Sequence, residues 1–176
     1  ELSGKKPALS LDPTLLLDHQ RWENIVEEAQ STVEFPDSYM VSLFLGNDYT
    51  NEEKEIAKQT GLSLMQFKDF ETAAPDEFLK IIKNASLVLT DSYHVTIFSM
   101  LFHRPFIIFQ RKSKGVSMNS RFETLDYYFH LDNRFYENVK KHKNYLEVLN
   151  EGLFENLLIK LRKDSTEYLN SLFKVI

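Results

Sequence analysis

The sequence contains no cysteine. That excludes a disulfide framework, a thiolate nucleophile and a cysteine-ligated zinc knuckle, and it fits a reducing compartment. Positive charge is not in excess: 21 Lys and Arg against 26 Asp and Glu leave a net charge of −5. A nucleic-acid binder would carry a basic face. No apolar run reaches the roughly 20 residues needed to span a bilayer, and no secretory signal pattern opens the chain. No dinucleotide fingerprint or P-loop occurs, and "GND" at Gly46–Asp48 has the spacing of neither. His19, His103, His130 and His142 lack metal-ligand spacing with carboxylates. The chain begins "ELSGKK", without methionine, as a processed product or an excised piece of a longer protein would.

What is present suits one domain with a filled core: 176 residues, 43% hydrophobic, with 14 Phe, 8 Tyr and 1 Trp. Residues 1–18 read as a linker or lead-in segment. Within it, "DPTLLL" (Asp12–Leu17) is a turn and short apolar run. Residues 19–150 read as a Rossmann-like domain. Asp18 is placed to cap a helix with the stripe Trp22, Ile25, Val26 and Ala29. "YMVSLFL" (Tyr39–Leu45) is a continuous apolar run of strand length, as in a strand buried on both faces. Thr50 and Glu53 have capping-box spacing for a helix over 51–60, with Gly61 as its stop. "SLMQF" (Ser63–Phe67) is a second strand. Pro75 then opens a helix with Phe78, Ile81, Ile82 and Ala85 on one face. "SLVLT" (Ser86–Thr90) is a third strand, 92–102 a buried helix and "PFIIF" (Pro105–Phe109) a fourth strand. Ser120 and Glu123 suggest another capping box. The aromatic-rich stretch Tyr127–Val139 reads as core or a packed loop, with a sugar-stacking platform or a subunit contact as the sharper alternative. Residues 151–176 read as closing helices, in two segments around 154–161 and 165–173. Strands that alternate with helices predict an α/β fold with a parallel sheet covered on both faces.

In such sheets ligands gather at the carboxyl ends of the strands, at a topological switch point. Two strand ends stand out, "GND" after Leu45 and "DSYH" after Thr90. If the two strands are neighbours, both loops face one crevice. Asp91 or Ser92 would cap the helix that follows, whose N-terminus is a ready anion site. His94 falls in its first turn, where the dipole disfavours a charged imidazole. A neutral imidazole beside an anion site can act as general acid or base. The plainer reading is a cap with a histidine packed locally. Arg121, just after Ser120, opposes the dipole of its own helix and so calls for an anionic partner or a solvent-pointing side chain. Arg104, Arg111, Lys112 and Lys114 flank the fourth strand and could hold a phosphate, although surface cations are the commoner explanation. Gly46 and Asn47 form a tight turn at which a ligand could approach the backbone.

Several segments together resemble the polysaccharide pyruvyl transferase family. They are "LDPTLLLD" (Leu11–Asp18), "YMVSLFLG" (Tyr39–Gly46), the block Pro75–Phe109, and "NSRFETLDYYF" (Asn119–Phe129); the tail "LRKDSTEYLNSL" is similar to the family's closing helix. The resemblance implies two Rossmann-like domains facing a cleft, similar to B-type glycosyltransferases. This chain would be the C-terminal domain, and an N-terminal domain its missing partner. It further implies that phosphoenolpyruvate is the donor, as a substrate rather than a cofactor, and that a sugar or glycan is the acceptor. The product is a cyclic ketal made in surface-polysaccharide biosynthesis, in the cytoplasm or at the inner face of the membrane. A homo-oligomer is compatible with this.

The resemblance assigns acid/base work or phosphate contact to His94 and an anion clamp to Arg121. Asp91, Ser92, Gly46, Asn47, Arg111 and Lys112 are the further candidates for substrate contact. This chain departs from the family pattern at two positions: Ser92 stands where many relatives have arginine, and Val95 where the more similar ones have glycine. The alternatives are a nucleotide-sugar glycosyltransferase domain and a non-catalytic Rossmann-like binding domain.

Overall fold

The apolar run Tyr39–Leu43 forms β1, with every residue buried. β2 (Ser63–Gln66), β3 (Leu87–Thr90) and β4 (Phe106–Ile108) join it in one parallel sheet ordered β2-β1-β3-β4. The structure is a computed structural model and describes residues 10–111 and 120–173. β3 and β4 are buried throughout, as their unbroken apolar runs require. β2 lies at the edge and buries only Met65. Val41 pairs with Met65 on one side and Val88 on the other, and Leu89 pairs with Ile107. From β1 the chain moves outward to β2, then crosses back to β3. The topological switch point therefore lies between β1 and β3, the two strands whose following loops carry the sequence candidates.

The period-two alternation of the strands divides the core between two faces. Tyr39, Val41, Leu43, Val88, Phe106 and Ile108 pack under α1 (Pro13–Leu16), α2 (His19–Glu28), α4 (Pro75–Asn84), α5 (Tyr93–Leu101), α6 (Ser120–Phe129) and α8 (Glu151–Phe173). Met40, Leu87, Leu89 and Ile107 pack on the other face against α3 (Thr50–Thr60) and α7 (Tyr136–His142). No helix among the described residues is long and apolar enough to cross a membrane.

Several boundaries follow from local chemistry. Asp18 accepts from the Gln20 amide at 2.8 Å and caps α2. Gly61 closes α3 in the left-handed region, at φ 71°. Three details differ from the sequence reading. The Thr50–Glu53 capping box does not form. Asp48 accepts instead from the amide and hydroxyl of Thr50, at 2.9 and 2.6 Å, and the buried Glu53 accepts from Gln66 at 2.6 Å. The lead-in residues 13–16 are a helical turn with Leu15 fully buried. The closing region is one uninterrupted helix, α8. Its interior Ser165 is buried with its hydroxyl engaged by the Leu11 amide, so the polar "DST" does not break it.

Candidate functional site

The site is built around the end of β3 and the start of α5. Thr90 ties the neighbouring strand to this loop: its hydroxyl donates to the Leu43 carbonyl at 2.8 Å and accepts from the Ser92 amide at 2.9 Å. Ser92 is the N-cap residue by backbone, although its side chain makes no capping bond. Asp91, only 1% exposed, turns its carboxylate to the loop after β1. It accepts from the amides of Leu45 and Gly46, at 2.7 and 2.9 Å, and pairs with the Arg111 guanidinium at 3.1 Å. Tyr49 donates to the Gln110 carbonyl at 2.7 Å and adds a second tie between the ends of β1 and β4. Gly46, Asp91 and Arg111 are thus brought together as a staple across the switch point.

His94 belongs to a different group. Its side chain is 54% exposed, and Nε2 lies 3.6 Å from Oδ2 of Asp12, the N-cap of α1. The Tyr93 ring stands edge-on to His94 and to Phe122, and the Arg121 guanidinium lies 5.6 Å from its centre. Burial raises the Tyr93 hydroxyl above the ordinary tyrosine value; the Asp12 charge adds to this, and Arg121 opposes it. A shallow depression of about 260 Å³ is lined by Ser10, Leu11, Asp12, Tyr93, Arg121 and Thr124. Its lining combines a carboxylate, a phenol and a guanidinium, and the His94 imidazole stands next to the first two of these. Such a set can hold an anion and move a proton beside it.

A third place, of about 480 Å³, opens at the ends of β1 and β2, lined by Asn47, Asp48, Glu53, Gln66 and Phe67 among others. Of the residues singled out from sequence, the structure gathers His94 with Arg121, and Gly46 with Asp91 and Arg111. Asn47 lines the third place, and Lys112 lies outside the described residues. Asp12 and Tyr93 escaped the sequence reading. Asp12 showed only an Asp-Pro turn signal, and nothing local connects it to α5.

The model of the polysaccharide pyruvyl transferase family matches residues 1–113. The chain belongs to this family. The match takes in the whole sheet of this pyruvyl transferase domain, together with Asp12, Asp91, Ser92, the start of α5 with His94, and Arg111. Arg121 and α6–α8 lie beyond its end, so the resemblance read over the tail rests on the sequence alone. No curated protein and no solved structure matches the chain.

Proposed function

We propose that this chain forms the donor-binding wall of an enzyme that transfers the pyruvyl group of phosphoenolpyruvate to a sugar as a ketal. The observation that carries the reading is the pairing of His94 and Arg121 around Tyr93, at the helix that starts from β3. The donor brings a carboxylate and a phosphate. The amides at the start of α5 and the Arg121 guanidinium supply complementary charge to one of them, and Arg111, just past β4, is the described candidate for the other. Ser92 contributes a hydroxyl where many relatives have a guanidinium, so Arg121 bears more of the anion contact.

The chemistry is an addition followed by a displacement. One sugar hydroxyl adds through its oxygen to the donor's central carbon and gives up its proton, while a proton is delivered to the methylene carbon, which becomes a methyl. The second hydroxyl then forms a bond to the same carbon as the bond to phosphate breaks. Its proton passes to a base or to the departing phosphate. His94 is the group for the first proton transfer, as acid towards the methylene carbon and base towards the hydroxyl. The acceptor approaches from a facing domain, and the polar depression beside Asn47 lies on the same edge of the sheet.

Thermal protection of the intact protein separates the readings. A ligand present at a hundred times its Kd adds about 2.7 kcal/mol of stability, enough to raise Tm by several degrees. Phosphoenolpyruvate is expected to give this shift, and His94→Asn or Arg121→Ala to reduce it. Protection by a nucleotide sugar alone would contradict the proposal and favour a glycosyltransferase.

A further inference from the structure

We infer that Asp12 is the positioning residue of His94 and that α8 holds it in place. The inference takes from the proposed function only the role of His94. The two carboxylate oxygens of Asp12 face different groups. Oδ1 accepts from the Thr14 amide at 2.9 Å and caps α1, while Oδ2 lies 3.6 Å from Nε2 of His94. Among the described residues, three charged or titratable groups stand around this imidazole. Asp12 comes from α1, Tyr93 from its own helix, and Arg121 from α6 at one ring's remove, over Tyr93. The anion is therefore nearest to Nε2. A carboxylate there favours the tautomer that carries its proton on Nε2, which leaves the lone pair on Nδ1. It also restrains a ring that is otherwise half in solvent.

A four-residue helix is too short to hold Asp12 by itself. Its surroundings do so. Leu15 is fully buried, and the Leu11 amide donates to Ser165 Oγ at 3.0 Å in the interior. Arg162 donates through Nε to the Leu15 carbonyl at 2.6 Å and through Nη2 to the Leu17 carbonyl. Arg162 and Ser165 sit nearly one turn apart on α8, so one helix secures both ends of the segment that carries Asp12. The closing helix thereby reaches His94 through a chain of named contacts, although it lies beyond the residues matched by the family model.

The competing role for Asp12 is that of a helix cap alone. Serine caps as well as aspartate but has neither the charge nor the second oxygen. Asp12→Ser therefore removes the contact with His94 and keeps the cap. The experiment is side-chain 15N NMR of the intact protein labelled at histidine, with His94→Gln to assign the signals. The ratio of Nε2–H to Nδ1–H tautomer at His94 is expected to fall about threefold in Asp12→Ser, the scale of a partly exposed ion pair. Tm should stay unchanged. Arg162→Ala should move the ratio the same way by less. An unchanged ratio in Asp12→Ser would overturn the inference. If that variant loses stability, Asp12→Asn, which keeps both the shape and the cap, is judged by the same ratio. Phosphoenolpyruvate binding to His94→Asn, measured by calorimetry, tests the donor site separately. Unchanged binding there would remove the proposed role of His94 and leave the tautomer result standing. Lost binding with an unchanged tautomer ratio would remove only the role of Asp12.

Discussion

Gly46 shows how a residue's role depends on partners that are distant in sequence. Read locally, it marks a turn at which a ligand could meet the backbone. In the fold, the chain itself fills that space: a Cβ on Gly46 would stand 2.9 Å from Arg111 Cδ and 3.0 Å from Asp91 Oδ2. The missing side chain makes room for the staple. Gly46→Ala is expected to push Arg111 away from Asp91 and to cost about 1–3 kcal/mol, as overpacking does. Asp91→Ala should cost more, about 3–5 kcal/mol, because it removes the buried carboxylate that accepts from the Leu45 and Gly46 amides and pairs with Arg111. Denaturant unfolding of both variants checks the order. An Asp91→Ala that unfolds at the same midpoint as the parent would remove the staple. The sequence marked all three residues as candidates because of where they follow strands. It did not reveal that they bind one another, since hydrogen bonds across some 45 positions leave no local pattern. Arg134 was equally hidden. It is fully buried in an aromatic-rich stretch and donates to the carbonyls of Glu147 and Asn144 at 2.6 and 3.1 Å.

At the scale of elements, period and caps were legible, and competition between caps was not. The apolar spacing of α4 and the buried runs of β1, β3 and β4 appear where their patterns place them. At the N-terminus of α3 three acidic residues, Asp48, Glu52 and Glu53, lie close together in sequence. Asp48 accepts from the Thr50 amide and hydroxyl, while Glu53 turns inward to Gln66. Hydrogen bonds from the Thr50 side chain and amide hold the Asp48 carboxyl below its ordinary value, with burial opposing.

Glu77 in α4 makes an analogous bridge to residues 31–33. Burial pushes its carboxyl upward, but the amides of Thr32 and Val33 and the hydroxyls of Thr32 and Ser31 prevail and hold it below the ordinary glutamate value. The sign follows from the lowered folded value. The stabilisation is complete above the unfolded glutamate pKa, near about 4.3, and is lost as pH falls through the lower folded value. Glu77→Gln should therefore lower stability at neutral pH and flatten this acid limb of the stability curve. The check is Tm measured from pH 7 down to pH 3. An acid limb equally steep in the variant would contradict the account.

For the molecule as a whole, alternating strands and helices were enough to predict a parallel sheet, because few other arrangements bury such runs. The strand order, and with it the switch point between β1 and β3, required the structure. So did the return of α8 to the lead-in segment, which brings residues 11–17 to the face that carries His94. The central claim is that this face binds the donor. The most direct test is a crystal structure of the intact protein soaked with phosphoenolpyruvate. The account predicts the donor at the first turn of α5, with its anionic groups within hydrogen-bond reach of His94 and Arg121. Phosphoenolpyruvate bound at a place that touches neither residue would contradict it.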